Sequence, residues 1–309
     1  TQSISEIPVL LMIFNRPETT EKVFNAIRQE KPKRLFVAAD GPRADKTGEI
    51  ERCLEARKIA TTVDWDCEVK TLFREKNLGC GRAPAEAISW FFDNVEEGII
   101  LEDDCFPSHD FFLFCGELLE RYRNDARIME IGGNNLLESN FKDDDYSYYF
   151  SNHNMIWGWA TWRRAWKVYD FEMKLYNKVR DTQYLQSCFH SVYELDYFRF
   201  IFDKTVDNIN NLTWWDYQWE LLRRLNSGLT IVPSRNLVLN IGLGANATHT
   251  TDPHGTGANL KFEALTFPLK HPEFILADTV KDDRFFRKTF TNGLSRIKTT
   301  LKKVIPKFI

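Results

Sequence analysis

The sequence predicts an open, doubly wound α/β sheet, mixed in strand direction and flanked by helices. Three observations carry this. Short apolar runs of strand length alternate with longer segments whose apolar residues recur at helical spacing. The runs are apolar on both faces, as central parallel strands are. Several of them end in polar residues, at the end of the strand where ligands of such sheets bind.

The first run spans residues 9–14. Asn15 and Pro17 then supply helix-start chemistry, and Val23, Phe24 and Ile27 form an apolar stripe. KRLFVAADGPR gives a second strand that ends at Asp40-Gly41-Pro42. EIERCLEARKIA reads as a helix and CEVKTLFRE as a third strand. After KNLGCGR comes a helix with Pro84 in its first turn and Ile88, Phe91, Phe92 and Val95 on one face. GIILEDD is a fourth strand, ending on three adjacent carboxylates, Glu102, Asp103 and Asp104. RIMEIGGNN suits a further strand, and LTWWDYQWELLRRLNSGLTIVP a helix followed by a strand. The Gly-, Asn- and Thr-rich stretch NIGLGANATHTTDPHGTGANL reads as a loop that closes over a ligand. No repeat and no long linker interrupts the chain, so its halves are expected to share one cleft.

The 309 residues, 43% hydrophobic and 28% charged, suit one large domain or two intimate ones. The 14% aromatic share fits sugar or nucleobase ligands, although 24 Phe residues point first to a core. A net charge of −3 gives no reason to expect a nucleic-acid partner. The tail differs, with Arg284, Arg287, Lys288, Arg296, Lys298, Lys302, Lys303 and Lys307 and no acid. Leu294, Ile297, Leu301, Val304 and Ile305 sit among these cations at helical spacing. That pattern suits an anionic membrane surface; a helix docked on its own domain is the plainer alternative. Six cysteines without a CxxC pair read as reduced thiols of an intracellular protein. With no apolar run of ~18 residues, the expected place is the cytoplasm, peripheral at the inner face of the membrane.

Asn15-Arg16, Asp40 and the three carboxylates all follow strands, so they should converge on one crevice. Strand alternation would put Glu102 and Asp104 on one face and Asp103 on the other. Like charges so close are costly without a cation or donors. Hard oxygen ligands suit Mn²⁺ or Mg²⁺, which keep water and substrate phosphates in their shell. A solvated acidic loop is the bland alternative.

FNRP, AADGP, LEDDCFPSHDFF, GWATWRRAW and WWD occur in this order. Together they resemble the animal N-acetylglucosaminyltransferase I family of GT-A fold glycosyltransferases, over about residues 8–255. The resemblance implies a UDP-sugar donor, most simply UDP-N-acetylglucosamine, and a glycan or glycolipid acceptor. Capsule or lipopolysaccharide-type synthesis would be the setting. It implies that Asp104 coordinates Mn²⁺ and that Asp103 and Glu102 hold the ribose and donor sugar. Arg16 would reach the diphosphate, Asp40 the uracil, and His249 would order over the donor. Trp157, Trp159 and Trp215 would form a sugar and acceptor platform. Asp216 would be the general base, and a base facing a metal-held leaving group implies single displacement with inversion. The expected division is a nucleotide-sugar-binding half at 1–132, an acceptor and catalytic half at 133–270, and a basic extension at 271–309.

Plainer readings stand beside these. Arg16 could pair with Glu18 or Glu21, Asp40 could only form a turn, His249 could be structural, and Trp162 and Trp166 at i, i+4 suit the core. Asp216 could simply favour a helix start, with Glu220 and Asp196 as rival bases. About fifty residues separate Trp166 from Asp216, more than expected of the animal enzymes. They are aromatic and helical in pattern and could line an acceptor site. Two other classes remain: a sugar-phosphate nucleotidyltransferase, against which stands the lack of a glycine-rich basic loop after the first strand, and a non-catalytic glycan-binding protein.

Overall fold

The computed structural model describes residues 3–137, 145–242 and 260–301, with side chains up to residue 290. Four βα units open the chain. Strand β1 (Val9–Ile13) leads to α1 (Pro17–Glu30), β2 (Arg34–Ala39) to α2 (Glu49–Thr61), β3 (Glu68–Phe73) to α3 (Gly79–Asn94), and β4 (Glu97–Glu102) through the short β5 (Cys105–Pro107) to α4 (His109–Tyr122). There follow β6 (Ile128–Gly132), β7 (Tyr148–Ser151), β8 (Trp159–Trp162) and α5 (Arg163–Trp166). The expected helical stretch forms α6 (Tyr176–Val179), α7 (Gln183–Ser187) and α8 (Val192–Asp207). Then come α9 (Asp216–Leu225), β9 (Leu229–Pro233), β10 (Val238–Asn240) and α10 (Thr279–Leu301).

Eight strands make one mixed sheet in the order β3-β2-β1-β4-β8-β6-β9-β7. β1 pairs in parallel with β2 and with β4, and β8 runs antiparallel to β4 and β6. The sheet is continuous across residue 132, so the expected halves share it. From β1 the chain steps outward through β2 and β3, then returns to the other side of β1 as β4. That reversal is the topological switch point of a doubly wound sheet.

Period two along the strands sorts the core into two layers. Val9, Leu11, Ile99 and Leu101 face α1, α2 and α4, whereas Leu10, Met12 and Ile100 face α3, α5 and α9. Ile99, Ile100 and Leu101 are fully buried, each contributing about 1.5–3 kcal/mol of hydrophobic stabilisation. This is why the run before the three carboxylates is apolar on both faces.

The first turns of α10 dock on the chain itself: Phe285 and Phe286 are buried, and Phe290 lies 4.8 Å from the Tyr197 ring. The Ser151 hydroxyl donates to buried Asp282 (2.5 Å). Arg284, Arg287 and Lys288 point outward. The plainer alternative, a docked helix, holds over residues 279–290; the side chains of Leu294 to Ile305 lie outside the described residues. No described helix is long and apolar enough to cross a membrane.

Candidate functional site

The carboxyl ends of β1, β2 and β4 open on one crevice. Arg16 stands at the start of α1, where Pro17 fixes the first helical φ. Its Nη1 donates to Asp104 Oδ2 (2.8 Å) and lies 3.7 Å from Asp103 Oδ1. The surface pairing with Glu18 belongs to Arg52 instead, through two bonds of 2.8 and 3.0 Å. The loop that carries Arg16 is pinned. Asn15 Nδ2 donates to buried Glu49 (2.8 Å), and Arg52 Nε donates to the Asn15 carbonyl (2.9 Å). Glu49 also takes the Arg43 backbone N–H and guanidinium, joining the loops after β1 and β2. Sequence reading treated Glu49 as an ordinary helical residue, and no local pattern marks its burial.

The three carboxylates divide differently from the alternation expected. β4 ends at Glu102, and Asp103 and Asp104 lie in the turn after it. Strand alternation therefore governs Glu102 alone. It continues the face of Ile100, toward α3 and α9, while Asp103 and Asp104 share Arg16. Asp103, 7% exposed, accepts the Phe14 N–H (3.0 Å). Asp104 is closed in by backbone: the Ile241 N–H donates to its carbonyl, and a Cβ added at Gly242 would lie 2.3 Å from its Oδ2.

Among the described residues, negative charge exceeds positive charge here. Burial, then Asp104, Asp103 and Asp216, push Glu102 up to about 8. Burial and then Asp104 push Asp103 up to about 7, against Arg16. Asp216, at the start of α9 and more than a hundred positions later in sequence, is near enough to Glu102 to add to that rise. Burial, with Glu102 and Asp40 adding to it, also raises the Cys80 thiol. Asp40 itself is committed elsewhere. It accepts the N–H groups of Gly41, Leu78 and Gly79 and the Asn77 amide, all within 3.1 Å. A Cβ at Gly41 would meet the Lys76 backbone at 2.4 Å. The Asp-Gly pair thus locks the β2 turn onto the start of α3, and the carboxylate shapes the crevice without presenting free lone pairs to a base.

The tryptophan expectation is also corrected. Trp159 is 1% and Trp215 4% exposed, and they stack on each other at 5.7 Å within the α3-side core. They cannot offer a face to a ligand. Trp157 is half-buried and keeps that capacity. Trp162 and Trp166 are core, as their spacing suggests.

Beneath Asp216 lies a second charged group. Glu220 is fully buried and accepts from Arg223 and Arg224 (2.7 Å each) and from the Asn154 N–H (2.9 Å). Arg224 also reaches Glu194 (2.9 Å) and His153 (3.1 Å), and Glu130 accepts the Trp219 indole N–H (2.6 Å). Asn154 Nδ2 donates to the Asp216 carbonyl (3.2 Å), linking this network to the crevice. Glu220 is thereby excluded as a rival base. Asp196 lines a separate groove of about 450 Å³ with His190 and Arg199, between α7 and α8. The i, i+3, i+4 spacing of Glu220, Arg223 and Arg224 was the one sequence signal of the network. His249 lies outside the described residues.

Among the described residues, no group of three His, Cys, Asp or Glu side chains is arranged to hold a metal ion. The donor set fits a narrower case. Two hard carboxylates, Asp103 and Asp104, against the Arg16 guanidinium would suit a divalent cation that takes the rest of its shell from phosphate oxygens and water.

No family model matches the chain, and no curated protein matches it. Solved structures do. A cytidylyltransferase from Leptospira borgpetersenii is 11% identical over 68% of this chain and 74% of its own, with a TM-score of 0.32. A 4-diphosphocytidyl-2C-methyl-D-erythritol synthase from Anaerococcus prevotii is 13% identical over 63% and 84%, with a TM-score of 0.30. HddC from Yersinia pseudotuberculosis is 10% identical over 47% of this chain and 59% of its own, with a TM-score of 0.27. The expectation of an inverting, UDP-sugar-dependent glycosyltransferase is corrected here. Two of these three structures bear cytidylyl names, and neither family models nor curated proteins support glycosyl transfer. At these identities and TM-scores the likenesses say nothing further about what this chain acts on.

Proposed function

We propose that this protein is a metal-assisted enzyme that binds a nucleotide at the ends of β1, β2 and β4 and transfers its nucleotidyl group to a sugar phosphate. The observation that carries this reading is the meeting of Arg16 with Asp103 and Asp104 between β1 and β4. That is where the strand order reverses and where doubly wound sheets take their ligands. The Arg16 fork suits two phosphate oxygens at once. A divalent cation held by Asp104, with Asp103 and Glu102 around it, would neutralise charge on the phosphate chain.

A phosphorylated acceptor arrives already ionised. Transfer of a nucleotidyl group to it therefore asks for alignment and charge balance more than for a base. In this reading Asp216 accepts hydrogen bonds from acceptor hydroxyls, and Trp157 supplies the apolar face against a ring. The fixed loops after β1 and β2, joined through Glu49, hold the phosphate-binding side chain in register.

The test is pyrophosphate release from CTP, UTP, ATP and GTP with a panel of sugar 1-phosphates. It is run in Mg²⁺, in Mn²⁺ and in EDTA, on wild type and Asp104→Asn. Release that needs both substrates and the cation, and is lost in the variant, is the expected result. Nucleotide binding without release from any pair would refute the reaction; no binding of any nucleotide would refute the site.

A further inference from the structure

Asp104 is contested. Its Oδ2 takes the Arg16 guanidinium at 2.8 Å, and the Gly242 backbone leaves no room for a Cβ on that side. Its other oxygen lies 3.6 Å from the Cys105 thiol. A divalent cation drawn to this carboxylate meets a positive charge already seated on it. Two cations on one carboxylate oxygen repel each other, and both gain from separation.

Arg16 has somewhere to go. Its backbone is fixed by the carbonyl and side chain of Asn15, held by Arg52 and Glu49. The long side chain beyond that anchor remains about a quarter exposed. A phosphate chain bound beside Asp104 would bring two or more anionic oxygens within its reach.

We propose that Arg16 is an exchangeable counter-cation of Asp104: it gives way to the divalent cation and transfers its guanidinium to the phosphates of the nucleotide. Arg16 is then a positioning residue that couples the two ligands. Each ligand prepares the site for the other, and the coupling is reciprocal. The inference rests on the metal and nucleotide reading above and goes beyond it, because a fixed arginine would repel the cation alike with and without nucleotide, whereas an exchanging one repels it less once phosphates hold its guanidinium.

The consequence is a pair of opposite effects from one substitution. Arg16→Gln removes the competitor, so Mn²⁺ alone should bind about three- to tenfold tighter than in wild type. The same variant loses the phosphate contact, so CTP or UTP in saturating Mn²⁺ should bind about tenfold more weakly. The enhancement of Mn²⁺ affinity by nucleotide should shrink to the part that phosphate oxygens on the cation supply directly. Electron paramagnetic resonance titration of free Mn²⁺ and calorimetry on the full chain read both quantities without turnover. In an Asp104→Asn background, Arg16→Gln should no longer tighten Mn²⁺ binding.

Unchanged or weaker Mn²⁺ binding in Arg16→Gln, with wild type binding Mn²⁺ normally, would overturn the exchange and leave the proposed function standing. Wild type that binds no Mn²⁺, with or without nucleotide, would remove the metal reading and this inference together. If Arg16→Gln fails to fold by circular dichroism, Arg16→Lys replaces it. Its compact point charge, without the fork, should raise Mn²⁺ affinity by a smaller factor; no rise would count against the exchange.

Discussion

Two clusters of carboxylates meet through α9, where Asp216 stands one turn before Glu220, and the protein treats them in opposite ways. In the deep cluster, Glu220 is surrounded by Arg223, Arg224 and His153. Burial alone would raise its carboxyl, but the two arginines outweigh burial and hold it far below the usual range. In the crevice, Glu102 and Asp103 are raised to about 8 and about 7 by burial and by each other's neighbours. The same residue type is balanced internally in one place and left in surplus in the other. A balanced cluster ties elements together; a surplus at a strand-end crevice stabilises a cation and phosphates that arrive from solution.

The strongest way to break this contrast is to unbalance the deep cluster. Arg224→Ala removes the guanidinium that joins Glu220 to Glu194, leaves Arg223 on Glu220 and His153 between the two acids, and opens space beside Phe189 and Phe198. Loss of one partner from a buried charge network costs about 3–5 kcal/mol. Urea unfolding followed by circular dichroism measures it. A loss under ~1 kcal/mol would mean the network is dispensable.

The pH dependence of stability reads both clusters at once. Groups raised in the folded state favour folding while protonated. The contribution of Glu102 and Asp103 is therefore present at low pH and lost as pH rises from about 5 to about 8. Glu220 works the other way. Its contribution is present above the ordinary carboxylate range and lost as pH falls through and below it. In EDTA, stability should peak near pH 5 and fall by about 3 kcal/mol toward pH 8. Saturating Mg²⁺ should flatten that fall. Thermal melts across pH in EDTA and in Mg²⁺ check it; melts that rise toward pH 8 in EDTA would contradict the surplus.

Much of this was legible in the sequence, for a physical reason. Apolar runs and helical stripes are local patterns, and residues 9–14 and the apolar run of GIILEDD read as strands buried on both faces. Strand-end convergence follows from sheet topology, so Arg16 and the three carboxylates were found before any geometry. What failed depended on packing between distant segments. Trp159 and Trp215 became core because they stack on each other although 56 positions apart in the chain. The division of Glu102 from Asp103 and Asp104 depended on where β4 stops. Burial of Glu49 and Glu130 left no local trace at all. The glycosyltransferase expectation rested on motif order, which carries a reaction only when the motifs are specific to it.

A narrower test replaces one carboxylate of the surplus by its neutral isostere. Glu102→Gln should keep the fold and raise stability at pH 8 in EDTA by about 1–2 kcal/mol, because it removes one repelling charge. It should also weaken Mn²⁺-dependent nucleotide binding about tenfold or more. Destabilisation together with unchanged nucleotide binding would assign Glu102 to architecture, with the deep cluster.

The smallest effect is expected at Asp196, which separates charge at the crevice from charge elsewhere. It is an exposed carboxylate on α8 and lines the groove beside α7. It belongs to neither cluster, although the sequence allowed it as a base. Asp196→Asn should leave stability within about 0.5 kcal/mol of wild type, as exposed substitutions do. Pyrophosphate release should stay within about twofold, because no proton or phosphate at the crevice depends on it. A loss of turnover as large as that of Asp104→Asn would carry the reaction from the ends of β1 and β4 to the helical segment. The surplus of charge beside Arg16 would then need another explanation.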